Sequence, residues 1–130
     1  MASWSKAFTI ASPTADQWND LTPVDGAAAT YTVPQNGNIK KIRVSFYQGA
    51  VDKACSGILR LTADRGYLKG NPQEFAIGGI TGTSGTDTGI AIPTETIDVD
   101  IPIEQGTIMK VSIYPNEAIE DVVVSLTVVS

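Results

Sequence analysis

The sequence predicts an all-β protein built from antiparallel strands, and three observations lead to this fold class. Apolar and polar residues alternate with a period of two in several segments, turn residues separate these segments, and no apolar stripe with helical spacing persists for the length of a helix. The segments number about eight, at a spacing typical of a β-sandwich or a closed barrel. Because no linker or internal repeat divides residues 1–130, we expect one domain.

The segment Thr94–Ile103 is the clearest predicted strand. Isoleucine or valine occupies every second position of its C-terminal half, and aspartate or proline lies between them. This alternation predicts one buried and one solvated face, with Val99 in the core and Pro102 at an end or edge position. Asp98 and Asp100 share the solvated face, so we interpret them as surface carboxylates rather than as the paired acids of a glycosidase.

Two more strands are predicted at the C-terminal end, over residues 107–114 and 121–129. Turns that contain glycine or proline precede both of them. Together with 94–103, these strands predict a three-stranded antiparallel unit. Val124 is central in the apolar row of the last strand and is assigned to the core. The opposite row is half apolar, which indicates a strand that is covered on both sides.

Alternation is weaker before residue 80. Five shorter strands are predicted there, over residues 6–11, 28–33, 39–48, 56–63 and 73–77. Ile39 is out of phase with Ile42, which predicts a β-bulge at Lys40 and Lys41. With Arg43, these lysines form a short basic cluster. We interpret the cluster as a solvated strand edge, because nucleic-acid sites need a larger basic footprint.

Composition argues against several functions. The formal net charge is −5 and the pI is near 4.5, and an acidic surface repels phosphate, so we expect no nucleic-acid partner. The chain has no histidine, which removes the commonest general base and zinc ligand. We therefore expect no enzymatic activity, no metal and no cofactor. Cys55 is the single cysteine, so no internal disulfide can form, and its neighbours predict a buried thiol.

Targeting signals are not evident in the sequence. No stretch is long and apolar enough to span a membrane, and residues 1–10 lack the apolar run of a signal peptide. We therefore expect no membrane partner and synthesis in a cytoplasm.

The segment Asp16–Leu21 combines oxygen ligands with an aromatic ring. Its two aspartates and its asparagine, beside Trp18, are compatible with a calcium site or a sugar platform, although the spacing is not that of an EF-hand. We favour a turn, with at most one turn of helix, that folds Trp18 onto the edge of the strands. Trp18 and Tyr67 are the candidate stacking platforms if the protein binds carbohydrate.

Residues 78–89 form the most unusual stretch, rich in glycine and threonine. It lacks the lysine of a Walker loop, and no helix is predicted after it. Loops of this length in a compact domain are usually functional or mobile, and ordering one costs roughly 1–2 kcal/mol per residue. We expect a neighbouring subunit to order it. We expect the same subunit to contact the large apolar side chain near the N-terminus. The candidate interface residues are Trp4, Gly78, Gly79, Ile80, Thr81, Gly82, Thr83, Gly85, Thr86 and Gly89.

Three stretches together suggest a family. They are Tyr31–Ile42, Ile97–Ile113 and Val122–Val128, in which an acidic-apolar strand ends at a proline, a glycine turn follows and two long strands finish the chain. This arrangement resembles that of viral jelly-roll structural proteins. The resemblance implies an eight-stranded jelly-roll sandwich that assembles symmetrically as a capsid, turret or decoration protein. The acidic charge favours a decoration or spike role, away from the genome.

Two functional hypotheses follow. The first is a non-enzymatic virion protein, made in the host cytoplasm, that binds copies of itself and other virion proteins. Exposed apolar patches would support it. The second is a carbohydrate-binding sandwich, which an aromatic-lined groove with convergent polar groups would support.

Overall fold

The computed structural model describes residues 3–26, 28–48, 55–80 and 91–130. These residues form ten strands and one short helix. The strands are β1 (Ser3–Ile10), β2 (Asn19–Asp20), β3 (Thr22–Pro23), β4 (Tyr31–Thr32), β5 (Gly37–Gln48), β6 (Cys55–Ala63), β7 (Gln73–Ile80), β8 (Ala91–Ile103), β9 (Ile108–Pro115) and β10 (Ile119–Val129). The helix α1 (Tyr67–Gly70) lies between β6 and β7.

Two antiparallel sheets pack face to face as a β-sandwich, which confirms the predicted fold class. The first sheet has the strand order β3-β1-β10-β5-β8, and the second has the order β2-β9-β6-β7, with β4 also paired to β9. The number of strands differs from the predicted eight, because the chain between residues 19 and 32 forms three strands of two residues each. Pro23 and Asp25, which has a φ of 71°, interrupt that segment.

The core lies between the two inner faces and is almost entirely aliphatic. Strand β10 shows the pattern most clearly, since every second side chain from Val122 to Val128 is buried. Val124 is fully buried, as predicted, whereas Val99 is partly buried and packs against the edge of the core. Strand β8 is an edge strand, and this position explains both the incomplete cover of Val99 and the presence of Pro102.

The predicted three-stranded C-terminal unit is wrong. Strand β8 pairs with β5, β9 pairs with β6, β2 and β4, and β10 pairs with β1 and β5. The turns at 104–107 and 116–118 carry the chain from one sheet to the other. A half-buried strand has the same alternation in either sheet, so periodicity predicted the strands and their buried faces but not their partners.

The bulge predicted at Lys40 and Lys41 is confirmed. The pairing register of β5 shifts there against both of its neighbours, so that Ile39 and Ile42 both point inward and are buried. The interpretation of this segment as a strand edge is wrong, because β5 lies between β10 and β8. Its basic side chains are exposed because they lie on the outer face of the first sheet.

The helical turn considered for 16–21 does not form. That segment is a turn followed by β2, and the four-residue helix lies instead at Tyr67–Gly70. Only Leu68 of α1 is buried, so the helix has no apolar stripe that sequence periodicity could reveal.

Candidate interaction surfaces and a small cleft

Part of the outer face of the first sheet is apolar or uncharged, with Arg43 paired to Ser125 and Glu120 paired to Tyr47 at its border. Its strands place short side chains side by side, as in the cross-strand pairs Thr9–Val123 and Val123–Ser45. Val24 is 42% exposed, Tyr47 is 43% exposed and Val123 is 38% exposed. A shallow cleft of about 190 Å³ borders Thr9 and Val123. We call this surface the uncharged face. It consists of Ala7, Thr9, Thr22, Val24, Ser45, Tyr47, Val123 and Ser125.

Another part of the same outer face carries paired charges. Lys40 Nζ lies 3.0 Å from Asp100 Oδ1, and Lys41 Nζ lies 3.9 Å from Asp98 Oδ1. Asn38 Nδ2 also donates a hydrogen bond to Asp100 Oδ1 (2.8 Å). The hydrogen bonds from Lys40 and Asn38, and then the lysine charge, hold the pKa of Asp100 below its ordinary value. Asp98 and Asp100 are therefore exposed ion-pair partners, as the surface interpretation predicted.

Trp18 folds onto the outer face of the second sheet. The Arg60 guanidinium carbon lies 3.8 Å from the centre of its ring, and the Tyr114 ring packs edge-on with a centroid distance of 5.4 Å. Asn19 organises the preceding turn through hydrogen bonds with Thr14. The turn is confirmed, but the predicted place of Trp18 at the strand edge is wrong, because its ring lies over Arg60 of β6, a strand inside the sheet. One face of the indole is covered by Arg60, so a sugar cannot stack there unless Arg60 moves.

The carboxylate of Asp20, one of the candidate oxygen ligands near Trp18, already has protein partners. Ser112 Oγ donates to Asp20 Oδ1 (2.7 Å), and Lys110 Nζ lies 3.7 Å from Asp20 Oδ2. Within the ranges that the structure describes, no group of three or more histidine, cysteine, aspartate or glutamate side chains is arranged to hold a metal ion.

Tyr67 stands beside a small cleft at one end of the sandwich. The cleft measures about 110 Å³ and separates the β6–α1 turn from the β8–β9 turn. Its base includes Leu68 and Ile103, and the Tyr67 side chain is 47% exposed. Trp18 does not line it, so the structure does not bring the two predicted platforms together. The lining residues are Ala63, Arg65, Gly66, Tyr67, Leu68, Pro102, Ile103, Glu104 and Thr107.

Three polar residues of this cleft had no signal in the sequence. Arg65 and Glu104 reach across from opposite turns: Glu104 Oε1 would lie 3.5 Å from a Cβ added at Gly66, and Arg65 Nη1 would lie 3.6 Å from one at Gly106. The third residue, Thr107, is buried, and its hydroxyl has no hydrogen-bond partner among the described residues. Arg65 is distant in sequence from the other two residues, and only the folded structure shows that their turns lie side by side.

The predicted interface residues are placed only in part. Trp4 lies in β1, packs against the core, and donates a hydrogen bond from Nε1 to Tyr31 Oη (3.1 Å). The expectation that little of its own domain covers Trp4 is therefore wrong. Gly78 and the backbones of Gly79 and Ile80 belong to β7, whereas residues 81–89 lie outside the described residues.

Gly78 has a local structural role in β7. Its φ is +90°, and a Cβ added there would lie 2.6 Å from the carbonyl oxygen of Cys55. The register between β6 and β7 shifts at this point, so Gly78 permits a bulge that no side chain would allow. Its amide also donates a hydrogen bond to the Glu95 carboxylate of the facing sheet.

Cys55 is fully buried at the start of β6, as predicted. Burial raises the pKa of its thiol, and the negative charge of Glu117 raises it further. A thiol with a raised pKa is a poor nucleophile at neutral pH, so the arrangement does not favour covalent catalysis at this residue.

Comparison with known proteins gives no family assignment. No family model matches the chain, and no curated protein matches it either. In the part of the chain that the structure describes, no helix has the length and apolar character needed to cross a membrane.

Proposed function

We propose that the protein is a non-enzymatic structural protein that assembles with copies of itself, as a capsid, turret or decoration component of a virion. The uncharged face carries this proposal. An exposed sheet face with short, uncharged side chains loses little side-chain entropy when it is covered, and exposed apolar patches commonly mark interaction sites. The flat row formed by Ala7, Thr9, Val123 and Ser125 suits packing against a second flat surface.

The strand order supports the jelly-roll part of the proposal. If β2 and β4 are counted as one interrupted strand at the edge of β9, the sheets become β1-β10-β5-β8 and β2/β4-β9-β6-β7, with β3 as an added edge. Four strands in each sheet, with the chain crossing between the sheets at every step except from β6 to β7, is the arrangement expected of a jelly roll. Jelly rolls occur in viral capsids and in lectins, so the fold is compatible with the proposed role without defining it.

The test is a charge placed on the uncharged face. Val123→Lys would bury an ammonium group at the subunit contact, and we expect it to convert a wild-type oligomer into a folded monomer. Size-exclusion chromatography with light scattering gives the molar mass of each form.

Ile108→Lys is the matched control, because Ile108 is 42% exposed on the opposite sheet. We expect this variant to assemble like the wild type. A wild-type protein that remains a monomer at high micromolar concentration would contradict the assembly proposal. Equal molar masses for wild type and Val123→Lys would exclude the uncharged face as the contact.

Residues 81–89 remain predicted as a second contact between subunits, whereas residues 78–80 belong to β7 and the packing of Trp4 against its own core removes the reason for including it. Shortening 81–88 to a tight turn is expected to leave the monomer folded and to weaken assembly. Because Trp4 also packs in its own core, Trp4→Ala changes monomer stability as well. The shortened variant therefore tests assembly more directly.

A further inference from the structure

The unpartnered hydroxyl of Thr107 is the strongest sign of a ligand in the Tyr67 cleft. The backbone of Thr107 is fully used, because its amide donates to Glu104 O (3.1 Å) and its carbonyl accepts from the Val33 amide (2.8 Å). The hydroxyl is the only polar group of this residue without a partner among the described residues. Buried polar groups are nearly always hydrogen-bonded. The hydroxyl has almost no surface open to the empty cleft, so a polar group of a ligand would reach it only after the Thr107 side chain turns or its neighbours move.

The charges at the rim select for a neutral ligand. Arg65 and Glu104 carry opposite charges on the two sides of the cleft. Asp64 Oδ1 lies 3.6 Å from Arg65 Nε and balances part of its charge. An anion would be repelled by Glu104 and a cation by Arg65. A neutral molecule with several hydroxyl groups can accept hydrogen bonds from the guanidinium and donate to the carboxylate at the same time.

The shape and the apolar surface of the cleft suit a sugar ring. The Tyr67 ring stands at the mouth, and Leu68 and Ile103 supply apolar surface at the base. A pyranose has apolar C–H faces and a polar periphery, so it can pack on an aromatic ring while its hydroxyl groups reach the rim. The volume of about 110 Å³ is well below the roughly 300–1,000 Å³ of sites for larger ligands, which limits the occupant to a single ring.

We propose that the cleft formed by Arg65, Tyr67, Glu104 and Thr107 binds one neutral monosaccharide ring, either free or at the end of a glycan. This site is independent of the uncharged face and does not require assembly.

Saturation-transfer difference NMR tests the proposal, because it observes the sugar and works with a protein of any assembled size. Glucose, galactose, mannose and N-acetylglucosamine are titrated singly into the full chain. We expect transfer to the ring protons of at least one of them, with a millimolar dissociation constant. Thr107→Val keeps the shape of the side chain but removes the hydroxyl, and we expect it to weaken binding about tenfold. Tyr67→Ala is expected to weaken it at least as much.

Tyr47→Ala is the matched control, since Tyr47 is a tyrosine of similar exposure on the uncharged face. The affinity of this variant for the sugar is expected to equal that of the wild type. Absence of transfer to all four sugars at tens of millimolar would overturn the proposal. So would unchanged affinity in both cleft variants, or displacement of the sugar by sodium sulfate at a lower concentration, which would identify an anion site. A methyl glycoside that binds better than the free sugar would show that the site takes the end of a glycan.

Discussion

Two residues that hold equivalent positions in the alternating pattern can differ in burial. Val99 and Val124 are both central in an apolar row, yet only Val124 is fully buried, because β10 lies inside its sheet and β8 lies at the edge. Val124→Asp would place an unpaired charge in the core, and we expect it to cost several kcal/mol and to prevent folding.

Val99→Asp is expected to cost less than Val124→Asp, because its carboxylate can reach solvent at the edge. Asp98→Asn, on the exposed face of the same strand, is expected to change the free energy of unfolding by about 0.5 kcal/mol or less. Urea denaturation measures the costs of the two β8 variants, and far-UV circular dichroism shows whether Val124→Asp folds at all. A Val99→Asp variant as damaging as Val124→Asp would show that β8 is covered more completely than in the isolated chain.

Thr107 links stability to the proposed site. In the unliganded protein, its buried hydroxyl is desolvated without a protein partner, which costs roughly 1–3 kcal/mol. We therefore expect Thr107→Val to raise the free energy of unfolding by about 1 kcal/mol. The same substitution is expected to weaken sugar binding. Thermal and urea unfolding without sugar check the first effect, and a loss of stability of the same size would show that the hydroxyl is already hydrogen-bonded.

Strand elements differ in how far the sequence predicted them. Residues 97–103 alternate, and residues 122–128 have an apolar side chain at every second position; both strands and the faces assigned to them are confirmed. Residues 28–33 form only the two-residue strand β4, because residues 28–29 lie in a bend before it and Pro34 follows soon after it. The partners of β8, β9 and β10 could not be predicted, because alternation specifies a face but not a neighbour.

The cleft illustrates the same limit at a site. Tyr67 was proposed from its residue type alone, whereas Arg65, Glu104 and Thr107 resemble ordinary turn residues in the sequence. They come together because two turns, separated by about forty residues, meet at one end of the sandwich. The uncharged face was missed for a related reason, since its rows run across four strands and no one strand displays it.

Close approach of β6 and β9 depends on Gly57. A Cβ added there would lie 2.8 Å from the Tyr114 carbonyl oxygen and 3.3 Å from the Pro115 Cα, and backbone cannot move aside as a flexible side chain can. We expect Gly57→Ala to cost about 1–3 kcal/mol, as overpacking does.

Gly70→Ala is the control for Gly57→Ala, because nothing lies within 4 Å of a Cβ added at Gly70. Its free energy of unfolding is expected to stay within about 0.5 kcal/mol of the wild type. Equal costs for both alanine variants would show that β6 and β9 separate easily at this point.

The two proposed sites, the Tyr67 cleft and the uncharged face, lie on different parts of the molecule. The Tyr67 cleft lies at the end of the sandwich where Pro102 pairs with Asn38. Ser125 is among the members of the uncharged face nearest to that end. It pairs with Arg43, five residues from Asn38 along β5, which is about 17 Å at the usual rise of a strand. A second copy docked on the uncharged face would therefore leave the cleft open to a ligand. This separation would allow the protein to assemble through one surface and to bind a sugar at another.

The uncharged and the charged parts of the outer face respond differently to salt, which distinguishes them as contacts. Raising the ionic strength from about 0.1 M to about 1 M shortens the screening length from about 10 Å to about 3 Å. Contacts through Thr9, Val24 and Val123 involve no charge, so we expect the oligomer to keep its molar mass over this range. Lys41→Glu, which reverses a charge beside Asp98, is likewise expected to leave assembly unchanged. Light scattering at both salt concentrations measures the effect. Dissociation at high salt, together with loss of assembly in Lys41→Glu, would move the contact to the charged part, where the lysines of one copy would face the aspartates of the next.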